Sequence, residues 1–179
     1  MSDIVLVIGL LLTVGGIFLF NRLVKDRNRV RSAWSDIDVQ LTRRYDLVPQ
    51  LVEAVKAYAG HERATLEAVT ELRNRSVAAN RLADKAGLEE QLESGVLKLL
   101  LLAEAYPDLK ANQNFLELQV ELVDVEDHLQ YARRFYNGAV RMLNTRVETV
   151  PDVIIAKLFQ FEPAEFFEAE NRTVPEVRL

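Results

Sequence analysis

IVLVIGLLLTVGGIFLFNRLVKDRNRVR, residues 4–31, is an apolar run that passes directly into a basic one. There is no charge from Ile4 to Phe20. Arg22, Lys25, Arg27, Arg29 and Arg31 follow, with no proline or glycine among them to stop a helix. A bilayer core roughly 30 Å thick needs about 20 apolar residues in a helix and tolerates about 17. The run meets the lower figure, and Asn21, Leu23 and Val24 extend it while Arg22 reaches toward the headgroups. Residues 1–24 are therefore expected to form a transmembrane signal anchor. The anchor should continue as one helix into the domain it carries and hold that domain at a fixed height above the membrane.

A cleaved signal peptide is the competing reading. Met1-Ser2-Asp3 supplies no positive stretch, and Phe18-Leu19-Phe20 supplies no small residues for cleavage, so the anchor is preferred. A buried core helix would not end in an arginine cluster. Within the run, Gly9, Thr13 and Gly16 fall at i, i+4 and i+7, a stripe of small side chains that would let a second membrane helix approach closely. The same residues are also ordinary members of membrane helices.

Composition narrows the remainder. Hydrophobic residues make up 49% and charged residues 27% of the 179, a globular balance that leaves one domain of ordinary size after the anchor. A net charge of -5 gives no reason to expect nucleic acid, and the juxtamembrane arginines suit anionic lipid headgroups. With no cysteine, disulfides, thiol nucleophiles and iron–sulfur clusters are excluded. Seven glycines and five prolines are few, so long helices are expected rather than many strands.

After the anchor, Val30, Trp34, Ile37, Leu41, Tyr45, Val48, Val52, Val55 and Ala59 step by three and four along one helix face. Arg27, Asp36, Asp38, Arg43, Arg44 and Glu53 read as its solvated side. Pro49 interrupts this pattern as a kink, or as a restart capped by Asp46. Gly60 is suited to a left-handed helix end. A second helix is expected over 62–79, a polar connection over 80–87, and a third helix over 88–106. Its run Val96–Leu102 is apolar nearly all round and should be the most buried segment. Phe115, Leu122, Leu129, Tyr136, Leu143 and Val150 recur every seven residues, with Leu118, Val125, Ala132 and Ala139 as the second seam, up to Pro151. The expected fold is all-α: the N-terminal transmembrane helix continues into an antiparallel up-and-down bundle of about four helices over 25–152. A C-terminal segment, 153–179, packs on that bundle. In it Pro163 opens a short helical turn, PAEFFEAE. Phe159, Phe161, Phe166 and Phe167 either plug one end of the bundle or form a patch for a partner. Asn171-Arg172-Thr173 matches a glycosylation sequon of low specificity.

A search for chemistry finds little. His61 lacks the second histidine of a zinc-protease helix. Neither His61 nor His128 has a glutamate three residues before it, as a carboxylate-bridged metal site in a bundle requires. Asp124 and His128 are spaced to pair on the helix surface, and Asp124, Glu126 and Asp127 read as a solvated face. There is no glycine-rich phosphate loop and no Gly-x-Ser-x-Gly elbow. No enzyme, cofactor or metal is expected.

Several blocks resemble the LemA family: Trp34-Ser-Asp-Ile-Asp-Val-Gln-Leu41, Arg43-Arg-Tyr-Asp-Leu-Val-Pro-Gln-Leu-Val52, Ala105-Tyr-Pro-Asp-Leu-Lys-Ala-Asn-Gln-Asn-Phe-Leu116, Tyr131-Ala-Arg-Arg-Phe-Tyr-Asn137 and Phe161-Glu-Pro-Ala-Glu-Phe-Phe167. The resemblance spans almost the whole chain and departs around Val123–His128 and Asn80–Glu93. It implies one N-terminal transmembrane helix and an α-helical bundle, and the membrane expected is the bacterial inner membrane. It carries over no catalytic residue. The basic residues after the span place the bundle in the cytoplasm and the N-terminus outside. The functional expectation is a membrane-anchored scaffold or interaction protein whose partners are lipids, further copies of itself and a membrane protein. The alternative is an accessory or regulatory subunit of a membrane enzyme.

Overall fold

The computed structural model describes residues 2–168, so Asn171-Arg172-Thr173 and the end of PAEFFEAE lie outside the described residues. Those described are all-α, with six helices and no strand: α1 Ser2–Lys56, α2 Arg63–Ala78, α3 Leu82–Ala103, α4 Pro107–Lys110, α5 Gln113–Glu148 and α6 Asp152–Leu158. They group into two compact units, to both of which α1 and α5 contribute.

The first unit comprises residues 2–36 and 132–165. Here α1 and α5 run antiparallel. Asp26 is paired with Arg146 (2.7 Å), and the rings of Trp34 and Tyr136 meet edge-on at 5.8 Å. Leu23, Val30 and Ala33 of α1, with Ala139, Val140, Leu143 and Val147 of α5, are buried. Residues 4–15 are exposed throughout, and burial on α1 begins only around Gly16 to Phe20.

The second unit comprises residues 37–131 and 166–168. Short connections force α1, α2 and α3 to run up and down, and α4 leads into α5. Ile37, Leu41, Tyr45, Val48 and Val55 bury the expected face of α1, but Leu51 takes the buried position expected of Val52, which is half-buried. Pro49 neither ends α1 nor starts a new helix. Proline cannot donate to the carbonyl four residues back, here Tyr45. Arg73 of α2 donates its Nε–H to that carbonyl at 3.1 Å, so the freed acceptor is used to hold α2. Between α2 and α3 the backbones approach closely: a Cβ on Gly95 would lie 3.0 Å from Val69 Cγ2.

Several expectations are corrected. The connection after α2 is only 79–81, because Leu82–Ala86 consists of residues compatible with a helix and Ala86 already faces the core. Gly60 has no positive φ; its backbone instead passes close to α1, where a Cβ would meet the Lys56 carbonyl oxygen at 3.2 Å. Val96–Leu102 is not uniformly buried. Helical periodicity turns Leu97 and Leu101 outward while Val96, Leu99 and Ala103 face in. The heptad row is buried from Phe115 through Leu143, but Val150 is 80% exposed. A straight helix drifts against a strict seven-residue repeat, and Val140 and Val147 take over the buried side. Finally, Pro163 opens no helix within 163–168; the short C-terminal helix is α6, before it. Asn144 explains this. Its side-chain amide donates to the Ala164 carbonyl (2.9 Å), the acceptor a helix opening at Pro163 would use, and accepts from the Ala164 N–H (2.8 Å).

Candidate functional site

The first candidate lies at the foot of the apolar run, within the first unit. Arg22 reaches buried Asp152 at the start of α6 (2.6 Å). Arg27 stacks on the Phe161 ring (4.9 Å) and Arg29 on that of Phe135 (5.3 Å), while Lys25 and Arg31 are exposed. Three of the five juxtamembrane cations are thus partly engaged within the protein. A cleft of about 360 Å³ opens beside them, lined by Arg22, Arg141, Met142, Thr145, Arg146 and Thr149. Arg22 Nε and Arg146 Nη1 are buried without a hydrogen-bond partner. Three guanidinium groups and two hydroxyls can hold the oxygens of a phosphate. The sequence reading missed Arg141 and Arg146, since nothing local distinguishes them from other arginines on α5.

The small-residue stripe divides. Gly9 has open space where a Cβ would stand, the Thr13 hydroxyl donates to the Gly9 carbonyl (2.8 Å), and Gly16 faces Ile155 Cδ1 of α6 (3.9 Å). The aromatic residues also separate. Phe159 and Phe161 pack on Phe20 of α1, with centroids at 4.8 and 5.8 Å. Phe167 is buried and Phe166 exposed in the second unit. Tyr136 donates its hydroxyl to the Glu165 carbonyl (2.9 Å), and burial, followed by the Glu165 carboxylate, pushes its pKa up.

The second candidate is a polar network inside the second unit that sequence reasoning missed. Arg44, read as solvated, is wholly buried, as is Glu89 of α3. Arg44 Nη1 donates to Glu89 Oε2 (3.2 Å), and its Nε lies 3.0 Å from Glu126 Oε1 as an ion pair without hydrogen-bond alignment. The Tyr45 hydroxyl donates to Glu89 Oε1, and burial followed by that hydrogen bond pushes the phenol pKa well up. One cation therefore bridges two carboxylates from two other helices, an arrangement that fixes how α1, α3 and α5 register. A signal was present in the sequence: Arg44 lies between Leu41 and Val48, and Glu89 between Ala86 and Leu92, on apolar stripes.

Outside the core, His128 donates from Nδ1 to the Asp124 carbonyl (2.7 Å) and lies 3.3 Å from its carboxylate, the expected surface pair, which Arg43 also joins (2.9 Å). His61 meets the Tyr106 hydroxyl at 2.8 Å. Among the described residues no group of three His, Asp or Glu could hold a metal ion.

Fold and sites together define a class: an all-α protein with, among the described residues, one helix, α1, long and apolar enough to cross a membrane. The chain belongs to the LemA family, whose model matches residues 33–179. It is 28% identical over 170 residues to a protein LemA of Metamycoplasma hominis, covering 90% of this chain and 76% of that one. It is 22% identical over 175 residues to magnetosome protein MamQ 2 of Paramagnetospirillum magneticum, and over 174 residues to magnetosome protein MamQ of Magnetospirillum gryphiswaldense. Each match covers 83% of this chain and 64% of the magnetosome protein's own length. The apolar helix and these relatives together indicate a membrane-associated protein.

Proposed function

We propose that this chain is a non-enzymatic helical scaffold, anchored by α1 in the bacterial inner membrane with its bundle in the cytoplasm, which associates with itself through the anchor. The observation that carries the reading is the full exposure of residues 4–15 on a helix that runs unbroken to Lys56. Exposed leucines, isoleucines and valines on every face are favourable in lipid and costly in water. The arginine-lined cleft and exposed Lys25 and Arg31 supply donors for anionic headgroups. The open space at Gly9 leaves room for a second α1.

Because the chain has no cysteine, Gly9→Cys gives a clean test. Oxidation in native membranes is expected to produce a disulfide-linked dimer. Monomer alone would overturn self-association. For orientation, a phosphatase active only outside the cytoplasm, fused after Leu179, is expected to stay inactive. Strong activity would reverse the topology. The accessory-subunit reading, with the C-terminal aromatic residues docking an enzyme, has less support. Phe161 already packs on Phe20, and Phe167 is buried.

A further inference from the structure

Within the first unit, α6 lies against the part of α1 that belongs to the span. Ile155 faces Gly16 at 3.9 Å, Phe159 packs on Phe20 at 4.8 Å, and Asp152 takes Arg22 at 2.6 Å. Arg22, at the membrane boundary, is thus level with the start of α6, and the rest of α6 runs beside residues 16–20. One side of α6 is spent on the protein: Asp152 and Ala156 are buried. The other presents Ile154 (64% exposed), Leu158 (70%) and, just past its end, Phe159 (54%). Ile154 and Leu158 are four residues apart and so share a helix face.

A sheath of water around residues 16–20 would leave only 4–15 to cross the bilayer. That is about 18 Å of helix at 1.5 Å per residue, against a hydrocarbon core of about 30 Å. Residues 16–20 must therefore sit in the membrane, and whatever packs beside them sits there too. We infer that α6 is a second membrane element: a short amphipathic helix embedded at the boundary between headgroups and acyl chains, with Ile154, Leu158 and Phe159 in lipid. Lys157, exposed, can reach the phosphates, and the Arg22–Asp152 pair marks the polar edge. The occupant of this apolar face is the bilayer itself, because the face is continuous with the span. This explains why a chain with a buried core displays two aliphatic side chains and a ring together near its C-terminus.

The inference rests on the anchor reading, and the experiment separates the two. In a cysteine-free chain, Ile154→Cys, Leu158→Cys, Leu11→Cys and Val123→Cys each carry one nitroxide label. The full-length protein is reconstituted in vesicles of phosphatidylethanolamine and phosphatidylglycerol. Collision with oxygen, which concentrates in lipid, is compared with collision with a water-soluble nickel chelate. Labels at 154 and 158 are expected to favour oxygen as the label at 11 does, and the label at 123 to favour nickel. Nickel access at 154 and 158 with oxygen access at 11 would overturn the interfacial helix and leave the anchor intact. Shielding of 154 and 158 from both reagents would also overturn it, assigning the face to protein. Nickel access at 11 would overturn the anchor and this inference together.

Discussion

Replacing Arg44 with methionine removes the cation that reaches both Glu89 and Glu126 and leaves aliphatic volume in its place. Glu89 is wholly buried, so it cannot recover the lost interaction from water. Breaking a buried ion pair by removing one partner costs about 3–5 kcal/mol, a large share of the roughly 5–15 kcal/mol that a domain has in total. Removing Glu89 instead, as Glu89→Leu, leaves Arg44 paired with Glu126 at 3.0 Å, and Glu126 is partly exposed. Glu89→Leu also takes the acceptor from the Tyr45 hydroxyl, so it should cost about as much, and the double variant, which leaves neither charge buried alone, should recover stability relative to Arg44→Met alone. Urea unfolding of the detergent-solubilised chain, followed by circular dichroism at 222 nm, reads both effects. With a slope near 2 kcal/mol per molar, about 4 kcal/mol lowers the midpoint by about 2 M. An Arg44→Met midpoint within about 0.5 M of the wild type, or a double variant no better than Arg44→Met, would refute the reasoning.

Arg73→Met should cost about 1–2 kcal/mol by orphaning the Tyr45 carbonyl. The cost should nearly vanish in a Pro49→Ala background, where residue 49 regains its own N–H; equal costs in both backgrounds would disprove that role for Arg73. Asn144→Leu unpairs both backbone groups of Ala164, so cleavage at Glu162 and Glu165 by a glutamate-specific protease should accelerate about tenfold or more. An unchanged rate would mean that Asn144 does not hold the segment. Tyr45 keeps its proton in the folded state, so its contribution to stability is complete below the unfolded phenol pKa of about 10 and is lost as pH rises above it. Tyr45→Phe should be weaker by about 1 kcal/mol at neutral pH for the lost hydrogen bond and decline less steeply in alkali. Parallel pH profiles for the two proteins would contradict this.

The sequence by itself determined the elements whose signal is repetitive. An uncharged run from Ile4 to Phe20 has no stable place in water, and a seven-residue row from Phe115 to Leu143 has one buried side. Helix class and the extent of the two long helices followed from these. Features that depend on a partner distant in the chain were decided only by the tertiary structure. Arg44 looks like a solvated charge until Glu89 of α3 stands 3.2 Å from it in a core. Pro49 reads as a kink or a restart until α1 runs through it and Arg73 takes the carbonyl it frees. Residues 163–168 look helical until Asn144 claims the backbone of Ala164. The membrane-proximal site divides the same way: Arg22 was legible from its place after the apolar run, whereas Asp152, Arg141 and Arg146 reach it from more than 100 residues away. Periodicity reports which face of a helix is apolar. It does not report which polar group on another helix arrives to meet an exception, because that depends on how the chain closes on itself.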